Sequence, residues 1–289
     1  MTRRLFVKVT HENLPHVKDR YPFIYLERGR LEVDDSSVKW IDCDGLVMRI
    51  PCATLQSILL GPGTSVTHEA VKVVAASNCT LCWVGEDSML FFAVGQAPTA
   101  DSRNMREQML LSANPKKSLE VARRLFGRRL DPVEIADKNL KQMMGLEGYR
   151  VRRIYEEKAH LYGVGWKGRS YVPGKFEMSD ITNKLLTSAN AALYGIISSA
   201  IHSMGYSPKI GFIHSGSPLP FVYDMADLYK EYLCIDLAFA LTYEMAGMYD
   251  KAKIAAEFRS RVVEKDLLGN ISRDIEYVLY GERNDRGRS

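Results

Sequence analysis

Two aspartates three residues apart, Asp224 and Asp227 in Phe221-Val-Tyr-Asp-Met-Ala-Asp227, share one face of any helix that forms there, and Glu231 continues the stripe. Like charges at this spacing cost an isolated helix about 0.2–0.5 kcal/mol unless something positive lies between them. A divalent cation would serve, and so would Lys230. His214 stands ten residues before Asp224, in Gly211-Phe-Ile-His-Ser-Gly216, where glycines on both sides suit a tight loop presenting the imidazole. A carboxylate pair with one imidazole suits Mg²⁺ or Mn²⁺ better than a thiolate-bound metal. Glu147, in Gly145-Leu-Glu-Gly-Tyr-Arg150, is flanked by glycines that let the backbone come close to something. The same residues also have a plain structural account. The acidic stripe is then a solvated helix face, and His214 is satisfied by backbone. Glu147 is a helix-start glutamate favoured by the macrodipole and paired with Arg150. Spacing alone does not tie Glu147 to His214.

Other chemistries fit less well. Cys79 and Cys82 have metal-ligand spacing, but residues three apart on a strand point to opposite faces, and no second Cys-x-x-Cys follows. They are expected as buried free thiols. Gly61-Pro-Gly63 reads as a turn, since no Gly-Lys-Ser/Thr follows, and the chain has no Gly-x-Ser-x-Gly elbow. The remaining histidines (His11, His16, His68, His160 and His202) have no partner spacing and are taken as structural.

The elements that must position these residues have two textures, an α+β pattern with a β-rich domain over residues 1–96 followed by an all-α catalytic domain over 103–281. Short strand-forming runs occur at Leu5–Val9, Phe23–Leu26, Leu31–Asp34, Val38–Asp42 and Leu46–Ile50, separated by glycine and acidic turns, as in a meander. Helical spacing of Val71, Val74 and Ala75 predicts one helix over 67–77, and strand character returns at Leu81–Val84 and Met89–Val94. Residues 97–102 form a linker. Beyond it Leu119, Ala122, Leu125 and Phe126 make one helical face, and Val151, Ile154, Tyr155, Leu161 and Tyr162 another. Ser179 or Asp180 caps a long helix ending near Met204, and Pro218 opens another through about Leu233. Further helices fill 234–248 and 250–280, and 282–289 is a frayed polar tail.

A chain of 289 residues with 46% hydrophobic and 26% charged residues is neither disordered nor fibrous. Its most apolar region, Ala189–Ile201, is short and interrupted by Asn190, Ser198 and Ser199, so no membrane span is expected. The N-terminus lacks a secretory apolar core, and five cysteines do not make a disulfide framework, so a reduced cytoplasmic setting is expected. Residues 103–153 carry 13 basic against 6 acidic residues, whereas residues 1–100 carry 10 against 11. Such a basic block fits a polyanion partner, or simply a solvated helical surface.

Three segments in order, Gly145-Leu-Glu-Gly148, Gly211-Phe-Ile-His-Ser-Gly216 and Phe221-Val-Tyr-Asp-Met-Ala-Asp227, resemble the signature of the CRISPR-associated integrase–nuclease family, Cas1. The resemblance extends to Pro62–His68, Trp83–Glu86, Tyr162–Trp166 and Leu193–Gly195, and it is closest to subtype I-E. It implies a β-domain followed by a helical catalytic domain, and a homodimer that joins the small partner Cas2. Double-stranded and branched DNA is the implied substrate. Glu147, His214 and Asp227 correspond to the family's Mg²⁺ or Mn²⁺ ligands, and Asp224 to an extra catalytic acid, beside the metal or an alternate ligand. Arg169, Tyr171, Tyr194 and Lys230 are assigned to DNA contact. The implied reaction is attack by the 3′-hydroxyl of a captured fragment on a phosphodiester at the repeat boundary. The alternatives are a DNA-binding scaffold with an inert acidic stripe, and a nuclease without integration.

Overall fold

The computed structural model describes residues 21–34, 37–85, 91–95, 102–170, 179–245 and 248–282. The Leu5–Val9 strand, most of the linker, Tyr171 and the tail beyond Glu282 lie outside the described residues. Eight strands among the described residues form two sheets. The first joins β1 (Tyr21–Leu26), β5 (Leu55–Leu60), β7 (Thr80–Val84) and β8 (Phe91–Gly95) in the order β1-β5-β7-β8. The second joins β2 (Gly29–Asp34), β3 (Ser37–Asp42), β4 (Val47–Ile50) and β6 (Thr64–Val66) in the order β4-β3-β2-β6.

Only β2-β3-β4 is the expected meander. β1 pairs parallel with β5, β5 parallel with β7, and β2 parallel with β6. Two strands lie outside the expected runs, the short β6 and β5; β5, Leu-Gln-Ser-Ile-Leu-Leu, lacks alternation because both its faces are buried. Ile58 and Leu60 face a core shared with Leu31, Trp40 and α1 (His68–Ala76), while Leu59 faces the other way with Cys82 and Val84. Thr67 caps α1 through its side chain. Cys79, just before β7, and Cys82, within it, are buried without a disulfide in separate apolar clusters.

The helices begin with α2 (Arg103–Ala113) and α3 (Pro115–Gly127), the latter opened by Asn114 as N-cap with proline at the first position. Val121, Ala122, Leu125 and Phe126 give α3 its buried face. After the short α4 (Pro132–Ile135), a reciprocal Asn139–Gln142 capping box starts α5 (Leu140–Leu161). Asp180 caps α6 (Ile181–Ser203), the central helix, in which Leu185, Leu186, Leu193, Ile197 and Ile201 are fully buried. A helix apolar on so many sides has to be surrounded. α6 packs against β5, β7 and β8 on one side, where Cys82 Sγ lies 3.1 Å from Ser199 Oγ, and against later helices on the other.

The next helix opens at Pro220 rather than Pro218 and is shorter than expected: α7 is Pro220–Ala226. Its axis is interrupted by turns over 227–229 and a π-helical stretch, Glu231–Ile235, before α8 (Asp236–Glu244). Local π geometry of this kind re-aims side chains and is common at functional sites. α9 (Lys251–Glu264) and α10 (Leu267–Tyr280) close the helical half. No helix among the described residues is long and apolar enough to cross a membrane.

Candidate active site

A cleft of about 540 Å³ opens between α5, α6 and the 227–235 segment, and Glu147, His214, Asp227, Arg169, Tyr194 and Lys230 all line it. Glu147 projects from the middle of α5, not from a helix start, so the macrodipole does not explain it. A Cβ added at Gly145 or Gly148 would meet nothing within 4 Å. Those glycines permit no close approach within the chain; they leave open space beside Glu147.

His214 sits in the loop before α7. Asp224 builds that loop. Its carboxylate is fully buried and accepts hydrogen bonds from the backbone N–H groups of Phe212 (2.6 Å), Ile213 (3.2 Å) and His214 (3.0 Å). It also lies 2.8 Å from His214 Nδ1. Asp224 offers only acceptors, so Nδ1–H donates to it and the ring is held with Nε2 toward Asp227. Gly211 makes the arrangement possible: a Cβ there would stand 2.6 Å from Pro220 Cβ and 3.0 Å from Asp224 Oδ2. The imidazole is thus held by a carboxylate rather than by backbone, and Asp224 is no part of a solvated acidic face.

Asp227 faces the cleft from the end of α7. Lys230 Nζ lies 2.7 Å from its Oδ1, and His214 Nε2 lies 3.6 Å from its Oδ2. Burial pushes the Asp227 carboxyl upward, but Lys230, Arg129 and His214 outweigh it and hold the group below the usual carboxylate range. Burial works against the Lys230 ammonium, yet Asp227 and Tyr194 prevail and raise its pKa. Lys230 also sits 5.1 Å above the Tyr194 ring. Glu231 pairs with Arg150 on the same cleft, while Asp224 is sealed in the interior, so the three acids do not form one stripe.

Glu147 and Asp227 do come together, across a residue that spacing did not single out. Arg129 Nη1 lies 2.9 Å from Glu147 Oε1 and 3.5 Å from Asp227 Oδ2. Arg150 Nη1 is 3.6 Å from the same Glu147 oxygen. Burial pushes the Glu147 carboxyl above its ordinary value, despite Arg129 and Arg150. Its Oε2 is buried with no hydrogen-bond partner among the described residues, as is Asn190 Oδ1 on the same wall. Neither Arg129 nor Asn190 carries a sequence signal: one is lost in a run of basic residues, the other in a buried helix.

Two carboxylates, one of them with an orphaned oxygen, and an imidazole Nε2 are the donors a hard divalent cation takes, so the residues fit one. As they stand, with Arg129 between the acids, no three His, Cys, Asp or Glu side chains among the described residues are grouped closely enough to hold a metal ion.

On the rim, Arg169 donates from Nη1 to Asn183 Oδ1 (2.7 Å) and from Nη2 to Thr187 Oγ1 (2.9 Å), which ties the 163–170 segment to α6. Trp166 reinforces it by stacking on Tyr155 with ring centroids 4.9 Å apart. The basic block 103–153 is partly spent inside the fold. Arg124 donates to the carbonyls of Val278 and Leu279, Arg128 pairs with Asp274, and Arg123 donates to Lys138 O.

The family model for the CRISPR-associated protein Cas1 matches residues 23–134 and 127–251. The chain belongs to the Cas1 family of CRISPR-associated endonucleases. It is 67% identical to the CRISPR-associated endonuclease Cas1 2 of Chlorobaculum tepidum over 276 residues, covering 96% of this chain and 93% of that one. It is 35% identical to the CRISPR-associated endonuclease Cas1 of Clostridium sp. strain SY8519, covering 94% and 90%. Among solved structures it resembles that of a TtCas1–DNA complex, with a TM-score of 0.73 and 35% identity, covering 93% of this chain and 100% of that one.

Proposed function

We propose that this chain is a divalent-metal-dependent DNA endonuclease and integrase of CRISPR adaptation, inserting captured fragments into a repeat array. The observation that carries it is the facing of Glu147 and Asp227 across one guanidinium nitrogen, with His214 Nε2 directed at Asp227, at the wall of an open cleft. Glu147, Asp227 and His214 would hold Mg²⁺ or Mn²⁺. When bound, such a cation acidifies an attacking hydroxyl and stabilises charge on the phosphoryl oxygens. Asp224 keeps the imidazole in the tautomer that leaves Nε2 free to face the cleft. Arg169, Lys230 and Tyr194 supply positive charge and an aromatic face to a DNA strand laid over the cleft mouth. The relative of the TtCas1–DNA complex supports DNA as the substrate.

We further place the chain in subtype I-E, in the cytoplasm, as a homodimer joined to Cas2. The three sequence segments support this. For the assembly alone, the exposed apolar row Leu46, Val47 and Met48, at and just before an edge strand, offers a surface that a second chain would cover.

The test is strand transfer of a labelled fragment into a supercoiled repeat-bearing plasmid, with and without Cas2, in Mg²⁺, Mn²⁺ or EDTA. Transfer that needs the metal supports the proposal. DNA binding without metal-dependent transfer or cleavage would instead mark a scaffold, and cleavage without transfer a nuclease alone.

A further inference from the structure

We infer that Arg129 is the resident counter-cation of the Glu147–Asp227 pair, and that a divalent cation enters the site by displacing its guanidinium. This role rests on the metal-dependent function proposed above.

Arg129 follows the end of α3, two residues after Gly127, and its side chain is 4% exposed. The guanidinium carbon lies 5.4 Å from the centroid of the Phe126 ring. Arginine is normally chosen inside proteins for its flat fork of donors, which binds a carboxylate through two parallel hydrogen bonds. Here that capacity is unused. None of the three buried guanidinium nitrogens makes an aligned hydrogen bond among the described residues. Nη1 alone approaches both acids, so the group acts as a point charge. A small spherical cation performs that task better, and Glu147 Oε2 is left buried for it to satisfy. A guanidinium and a divalent cation cannot share the place, because three positive charges would face two carboxylates. Lys230 is no equivalent competitor: of the two acids it pairs with Asp227 alone, through the other oxygen.

Arg129 also has somewhere to go. It lines a second cleft of about 660 Å³ beside the Arg150–Glu231 pair, where Glu231, Asp236 and Glu264 are already paired with Arg150, with Lys158 and Arg261, and with Lys265, so a displaced guanidinium would share these carboxylates.

Calorimetric titration of MnCl₂ into the full-length protein tests this with the wild type, Arg129→Gln, Arg129→Lys and Glu147→Gln. Removing the charge should tighten Mn²⁺ binding about tenfold or more, since the ion no longer has to expel a buried cation. Arg129→Lys, which keeps a charge, should stay close to wild type. Equal or weaker binding by Arg129→Gln, with binding still abolished by Glu147→Gln, overturns the role of Arg129 and leaves the metal site standing. No Mn²⁺ binding by any form overturns both. Should Arg129→Gln fail to fold, the wild type decides the matter by NMR. The arginine Nε–H signal missing from Arg129→Lys should shift and exchange faster with water as Mg²⁺ is added. If it is unchanged at high Mg²⁺, Arg129 does not move and the inference falls.

Discussion

Asp224 is the side chain on which the loop carrying His214 depends, and truncating it gives a measurable outcome. The carboxylate takes three backbone N–H groups and the imidazole Nδ1–H, all within 3.2 Å, at full burial. Hydrogen bonds to a charged group contribute about 1.5–3 kcal/mol each, and each buried donor left without a partner costs about 1–3 kcal/mol. The four are not additive, because the loop can relax and admit water, so Asp224→Ala should destabilise by about 4–5 kcal/mol. At about 2–4 °C per kcal/mol for a chain of this size, Tm should fall by roughly 10 °C or more. Asp224→Asn keeps the shape but turns one acceptor into a donor facing N–H groups, and should lose about 2–3 kcal/mol. Urea unfolding and thermal melting in EDTA measure both variants without any contribution from bound metal. If Asp224→Ala costs less than about 1 kcal/mol, the carboxylate does not organise the loop and the account of His214 fails.

Three further outcomes are expected. Glu147→Ala, His214→Ala and Asp227→Ala should each abolish metal-dependent strand transfer while circular dichroism shows the fold retained; normal transfer by any one removes that residue from the site. Asp236 is pushed up by burial, but Lys158 and Arg261 outweigh this and hold its carboxyl below the ordinary range, so its contribution to stability is present above about pH 4 and fades as pH falls through its depressed pKa. Asp236→Asn should therefore destabilise the protein at neutral pH and progressively less in acid, read as the gap between urea midpoints at pH 7 and pH 3. Of the five cysteines only Cys43 is exposed, and burial raises the thiol pKa of Cys52, Cys82 and Cys234 to about 12. Ellman's reagent at pH 8 should react quickly with one thiol in the native protein and with all five after denaturation.

Patterns carried by local physics were readable from residues alone. Helix α1, the long α6 with its Asp180 cap, and the buried face of α3 follow from periodicity and capping chemistry, which act within a few residues. The burial of Cys79 and Cys82 as thiols without a disulfide agrees with the reading of their spacing, although Cys79 precedes β7. The parallel pairing of β1, β5 and β7 was not readable, since a strand buried on both faces has no alternation to announce it.

The site divides along the same line. The sequence by itself determined which groups are available: two aspartates, a histidine between glycines and a glutamate on a helix. Tertiary packing decided what each of them does. Asp224 and Asp227 share a face by spacing, yet one is sealed under the 211–214 backbone and the other looks into a cleft, because α7 stops after Ala226 and α5 lies across its end. The 79 or more residues lying between Arg129 or Glu147 and Asp227 or Lys230 hide the meeting of those charges from any local rule, and only the docking of α5 and the end of α3 onto the 227–235 segment brings it about.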